Sequence, residues 1–147
     1  MMSKNVCILL ADDNEDHRFL FKKMLRQRID SVDYTVYAVN DGQEAIEFVT
    51  RTGRHAGAVI PDVVFLDINM PIKDGFEVLK VLKANEPTKH VPIIMLTSSD
   101  NEDDIKRCYD LGSNSFVVKP VRHEEYIDRI INTVSYWIKV NIPPPKD

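Results

Sequence analysis

Three aspartates, a threonine and a lysine are the residues of this chain that could do chemistry together, and each follows a short apolar run. Val6-Cys7-Ile8-Leu9-Leu10-Ala11 ends in Asp12-Asp13, and Val63-Val64-Phe65-Leu66 ends in Asp67. Val91-Pro92-Ile93-Ile94-Met95-Leu96 ends in Thr97, and Phe116-Val117-Val118 ends in Lys119. If these runs are parallel strands of one sheet, the polar residues meet at its carboxyl edge. Open α/β sheets bind ligands there, where the strand order reverses. Three carboxylates collected at one edge repel each other unless a hard divalent cation and the lysine balance them. The pattern predicts a site that handles phosphate and a metal.

The elements that must position these residues can be read between them. Strand-like and helix-like segments alternate, which predicts βαβ units and a parallel sheet. A first helix is expected from Glu15, with Leu20, Phe21, Met24 and Leu25 as its apolar stripe and Arg18, Lys22, Lys23 and Arg26 facing out. The second strand, Tyr34-Thr35-Val36-Tyr37-Ala38-Val39, has the composition of an edge strand. Asp41 with Glu44 three residues on marks a helix start, followed by Ala45, Phe48 and Val49 facing inward. After a longer loop over 51–61, Asp74-Gly75-Phe76-Glu77 marks another start, with Val78, Leu79 and Leu82 inward. Ser99-Asp100-Asn101-Glu102 fits a capping box, and Gly112 should end that helix in the left-handed conformation. The last helix, over 123–140, carries two apolar stripes. Ile127, Ile131, Val134 and Ile138 are expected to face the core, and Tyr126, Ile130 and Trp137 a partner.

The 147 residues suit one domain spanning 1–147, with the core fold over about 5–140 and a Pro-rich tail over 141–147. A net charge of −4, without a basic face, argues against nucleic acid as a partner. No apolar run approaches the roughly 20 residues that span a bilayer, so no membrane partner is expected. The N-terminus runs straight into the first strand, with no signal peptide. Cys7 and Cys108 lack a Cys-x-x-Cys pairing and read as small core residues in a reducing cytosol, which gives a cytoplasmic localisation. His17, His55, His90 and His123 have no metal-ligand spacing and read as solvated or packing residues.

Five strands and five helices of this kind resemble a flavodoxin-like (βα)5 doubly wound sheet of order 2-1-3-4-5. Leu9-Leu10-Ala11-Asp12-Asp13-Asn14, Phe65-Leu66-Asp67-Ile68-Asn69-Met70-Pro71, Asp74-Gly75, Leu96-Thr97-Ser98 and Phe116-Val117-Val118-Lys119-Pro120 together resemble the motifs of response-regulator receiver domains. Each piece alone is weak, since an acidic pair after a strand is commonly a solvated turn. All five in order are specific, and they cover nearly the whole chain.

That resemblance implies a phosphoryl-accepting regulator of a two-component system or phosphorelay, with Asp67 as phosphoacceptor. It implies Mg²⁺ held by Asp13, Asp67 and the Asn69 backbone carbonyl, with Asp12 acting mainly through metal-bound water. Lys119 would pair with a phosphoryl oxygen, the Thr97 hydroxyl would donate to another, and Phe116 would be the switch aromatic. Lys119-Pro120 resembles the family's cis peptide bond. The implied partner is a sensor histidine kinase or histidine phosphotransfer protein, and the chain would not be an enzyme beyond its own phosphorylation and autodephosphorylation. No attached output domain is expected. Asn69 and Ser99 occupy the positions with which the family tunes phosphoryl lifetime, and neither is an obvious base.

Two other classes compete. A haloacid-dehalogenase-like phosphatase also uses a strand-end Asp with Mg²⁺, but it wants a second Asp where this chain has Asn69. A phosphorylation-independent interaction module would have no need of all five site residues. The stretch from Ser135 to Pro143, with Thr97 to Asp104, resembles single-domain regulators associated with bacterial phytochrome kinases. It implies a homodimer through Tyr126, Ile130 and Trp137, with the proline tail lying across the neighbouring subunit.

Overall fold

In the computed structural model, which describes residues 5–145, five parallel strands are joined by helices. The strands are β1 (Val6–Ala11), β2 (Tyr34–Val39), β3 (Val63–Leu66), β4 (Ile93–Thr97) and β5 (Ser115–Val118). They pair in the order β2-β1-β3-β4-β5, so the order reverses between β1 and β3. Ala11 pairs with Leu66, which sets Asp12 beside Asp67 one residue further on. Expectations for residues 1–4 and 146–147 fall outside the described residues.

The alternation of side chains along a strand divides the core into two layers. Leu9, Ala11, Val64, Leu66, Ile93 and Met95 face one side, under α2 (Gly42–Thr50), α3 (Gly75–Ala84) and α4 (Glu102–Asp110). Ile8, Leu10, Val63, Phe65, Ile94 and Leu96 face the other, under α1 (Glu15–Arg28) and α5 (His123–Ser135). Each fully buried side chain of this size stabilises the fold by about 1.5–3 kcal/mol. β2 is the edge strand its composition predicts, with only Val39 buried.

Three helix starts are capped by the side chains of Asn14, Asp41 and Asp74, the last two as expected. The fourth differs. Asn101, not Ser99, caps α4, its Oδ1 accepting from Asp103 N and Asp104 N. The Ser99 hydroxyl donates instead to Asp104 Oδ2 at 2.7 Å, and Ser99 lies two residues ahead of the cap. Gly112 has φ +103° and follows the end of α4, as its position predicts.

Two expectations about the end of the chain are corrected. Tyr126 and Ile130 are buried in the chain's own core together with Val134, and Trp137 packs half-buried against the same cluster. Residues 126, 130 and 134 are spaced by four, so they share the helix face turned to the sheet. Ile127, Ile131 and Ile138 flank it, half-buried. The residues assigned to a partner are therefore the core stripe. The tail does not extend away from its own domain either. After a π-helical turn over Tyr136–Val140, Pro143, Pro144 and Pro145 line a cavity of about 540 Å³ with Ile60, Pro61 and Pro92 of the same chain. This cavity lies at the amino ends of β3 and β4, away from the acids.

Candidate functional site

Asp12, Asp13, Asp67, Thr97 and Lys119 converge at the carboxyl edge of the sheet because each ends or follows a strand in register with its neighbours. Backbone bonds continue the ladder past the strand ends and hold these residues. Asp12 N donates to Val39 O at 3.1 Å, Asp67 N to Ala11 O at 3.0 Å and Lys119 N to Thr97 O at 2.8 Å. Gly75 permits the approach of the β3–α3 loop, since a Cβ there would lie 2.2 Å from the Asp67 carbonyl oxygen.

Lys119 is the electrostatic centre. Its Nζ donates to Asp12 Oδ2 at 2.5 Å and to Asp67 Oδ2 at 3.2 Å. All three side chains are nearly or fully removed from solvent, while Asp13 is exposed. Asp12 is further held by Asn14 N, which donates to its Oδ1 at 2.9 Å. Asp67 Oδ1 accepts weakly from Asn69 N at 3.4 Å. One lysine among three aspartates gives the cluster a formal charge of about −2. Such a cluster draws in a cation.

The donor chemistry fits a hard metal. Carboxylate oxygens of Asp12, Asp13 and Asp67 lie within 4.8 Å of one another, close enough to share one ion. All are oxygen ligands, as Mg²⁺, Mn²⁺ and Ca²⁺ prefer. Thr97 is fully buried and its Oγ1 accepts from Ser99 N at 3.4 Å. Phe116, paired with Met95 across the sheet, is half-buried against the core layer under α2–α4. Ile72, in the loop after Asp67, has φ 71° and is 71% exposed. A β-branched residue in that conformation is strained by about 1–3 kcal/mol.

One expectation at this edge is overturned. The Lys119–Pro120 peptide bond is trans, as are all peptide bonds among the described residues. Trans is the intrinsically preferred isomer of an X-Pro bond by about 0.5–1 kcal/mol.

Sequence reasoning also missed His17. Its Nδ1 lies 3.0 Å from Lys119 Nζ and 3.7 Å from Asp12 Oδ2. Its ring lies against Tyr126, with centroids 5.6 Å apart. Burial, helped by the Asp12 and Asp67 carboxylates, pushes the Tyr126 phenol well above its ordinary pKa, so the phenol stays neutral behind the acids. His17 lies in the first turn of α1, four residues after Asp13, a place that gives no ligand spacing to read.

Comparisons with known proteins agree with this geometry. A profile described as the response regulator receiver domain matches residues 8–131. Response regulator Rcp1 of Synechocystis sp. is 31% identical over 137 residues, covering 92% of each chain. The crystal structure of its Mn²⁺-bound form superposes with TM-score 0.90 at 29% identity, over 95% of this chain and 99% of that one. The phosphorylated cyanobacterial phytochrome response regulator RcpA gives TM-score 0.91 at 32% identity, over 97% and 100%. The receiver domain of a Pseudomonas aeruginosa sensor histidine kinase, with magnesium coordinated in its active-site cleft, gives 0.69 at 27%, over 92% and 98%. The phosphatase alternative is not favoured by these likenesses. Two of these structures hold a metal ion, Mn²⁺ in one and magnesium in the active-site cleft of the other, and this chain gathers three carboxylates at the carboxyl edge of its sheet. Motif order, sheet topology and likeness over nearly the full length agree: the chain belongs to the response regulator receiver domain family.

Proposed function

We propose that Asp67 accepts a phosphoryl group from a phosphohistidine of a sensor histidine kinase or phosphotransfer protein, and that the chain signals through a changed surface. The observation that carries this reading is the Lys119 ammonium held against both buried carboxylates, Asp12 and Asp67. An Asp67 oxygen attacks phosphorus, the new O–P bond forms, and the bond to the donor breaks with its electron pair leaving on the donor. A carboxylate is a weak nucleophile, so positioning and charge neutralisation carry the rate. Lys119 has only to redirect one N–H from Asp67 Oδ2 to a phosphoryl oxygen. Asp12, Asp13, Asp67 and the Asn69 carbonyl would hold Mg²⁺, which when bound neutralises phosphoryl charge.

Thr97 and Phe116 would then transmit the state of Asp67. Thr97 sits at the site end of β4 and Phe116 two residues back from the end of β5. A Thr97 hydroxyl drawn to the phosphoryl group leaves space behind β4 into which Phe116 can turn. Phosphorylation shifts that balance only by its difference in contacts between the two states. The chain is also read as cytoplasmic; no helix among the described residues is long and apolar enough to cross a membrane. A homodimer belongs to the same reading, but through Tyr136, Val140 and Ile142, which are exposed, rather than through Tyr126 and Ile130.

The direct test is incubation with acetyl phosphate and Mg²⁺. Intact-mass analysis should show one added phosphoryl group, lost in base and absent when the metal is chelated. A protein that stays unmodified under these conditions would contradict the assignment.

A further inference from the structure

We propose that His17 is a positioning residue for Lys119: its Nδ1 is the acceptor that keeps the ammonium beside Asp67 while Asp12 engages a cation. The inference rests on the phosphoacceptor reading and adds a residue to it.

An ammonium carries three N–H donors and no acceptor. Lys119 Nζ has three acceptors within reach: Asp12 Oδ2 at 2.5 Å, His17 Nδ1 at 3.0 Å and Asp67 Oδ2 at 3.2 Å. Because the lysine can only donate, His17 Nδ1 is the accepting partner in this 3.0 Å contact.

The three acceptors are not equivalent in the working site. Asp67 Oδ2 is given up when Lys119 turns to the phosphoryl group. Asp12 is shared with a cation once one arrives. His17 Nδ1 already lies 3.0 Å from the lysine and is taken by neither event, so it is the anchor that remains. Without it, the ammonium is left with the phosphoryl oxygen and a carboxylate shared with the cation, and is freer to sample other rotamers.

His17 is itself held from two sides. Its backbone N donates to the Asn14 side chain at 3.0 Å, the N-cap bond of α1. Its ring lies against Tyr126 of α5, which is buried in the core. The side chain is 33% exposed, which lets it be changed without opening the core. The imidazole therefore ties α1 and α5 to the lysine that follows β5.

Two substitutions separate the acceptor from the ring. His17→Phe keeps an aromatic ring against Tyr126 and removes the acceptor. His17→Asn keeps an acceptor near the position of Nδ1 and removes the ring. In the Mg²⁺-loaded, unphosphorylated protein, nitrogen-15 NMR should detect a hydrogen-bonded Lys119 ammonium in wild type and His17→Asn, and a broadened or exchanged one in His17→Phe. With acetyl phosphate and Mg²⁺, the phosphorylation rate of His17→Phe should fall about three- to tenfold, roughly 0.7–1.4 kcal/mol at 1.36 kcal/mol per tenfold. His17→Asn should recover most of that loss.

If His17 only packs, the ranking reverses: His17→Phe behaves as wild type and His17→Asn does not, which overturns the proposal. Equal losses in both variants overturn it too. The NMR arm needs no phosphorylation, so failure of wild type to take up phosphate would count against the phosphoacceptor reading while the Lys119 signal still reports on the anchor.

Discussion

Replacing Lys119 by methionine tests how the site balances its charge. The side chain keeps similar length and apolar stem but loses the ammonium that donates to Asp12, Asp67 and His17. Removing one member of a buried ion pair costs about 3–5 kcal/mol, because the partner charge stays buried and unpaired. Here the lower end applies. Asp12 keeps Asn14 N at 2.9 Å, Asp67 keeps Asn69 N at 3.4 Å, and the exposed Asp13 side of the cluster opens to water. A chain of 147 residues has an unfolding entropy of about 0.3 kcal/mol/K near its midpoint, so a loss of about 3 kcal/mol lowers Tm by roughly 10 °C. The same variant leaves three aspartates with no lysine, a formal charge of about −3 rather than −2. Its affinity for Mg²⁺ should rise. A metal at 100 times its Kd stabilises by about 2.7 kcal/mol, which returns roughly 9 °C. Differential scanning calorimetry with and without a fixed Mg²⁺ concentration measures both effects. Lys119→Met should melt about 10 °C lower without metal and gain more from Mg²⁺ than wild type gains. A metal-free Tm unchanged from wild type, or equal Mg²⁺ gains in both proteins, would refute the charge-balance argument.

Three other outcomes are expected. Asp13→Asn should weaken Mg²⁺ binding in calorimetry more than Asp12→Asn, because Asp13 is exposed while Asp12 is already held by Lys119 and Asn14; the reverse ranking would contradict this division. Thr97→Ala should still bind beryllofluoride but lose the amide shifts around Phe116 seen in wild type, and identical shifts in both would break the proposed coupling. Light scattering at micromolar concentration should give a dimer mass that Tyr136→Glu with Val140→Glu converts to monomer, since both side chains are exposed; a monomeric wild type would remove that interface.

Sheet order and the convergence of Asp12, Asp13, Asp67, Thr97 and Lys119 were legible because they follow from strand-end positions, and a parallel sheet translates those positions into one edge. Cys7 and Cys108 are buried as read. Local rules failed where two local solutions competed. Ser99 and Asn101 both suit an N-cap, and the bond between Ser99 and Asp104 decides in favour of Asn101. β4 begins at Ile93 rather than Val91 because Pro92 has no N–H to donate, although its carbonyl accepts from Val64 N. On α5 both apolar stripes pack against the same core layer, and only the burial of Tyr126, Ile130 and Val134 tells which face is core. The trans Lys119–Pro120 bond shows a family feature that did not carry over. His17 was not legible at all. It meets Lys119 across 102 residues of sequence, and a single histidine without ligand spacing gives no signal until the fold closes that distance.

The central claim is that Asp67, and no other acid of the cluster, takes the phosphoryl group. After exposure to acetyl phosphate and Mg²⁺, borohydride reduces an aspartyl phosphate to homoserine and leaves free aspartate unchanged. Peptide mass spectrometry should find homoserine at position 67 alone, and none in Asp67→Asn. Homoserine at position 12 or 13, or undiminished phosphoryl uptake by Asp67→Asn, would contradict the account.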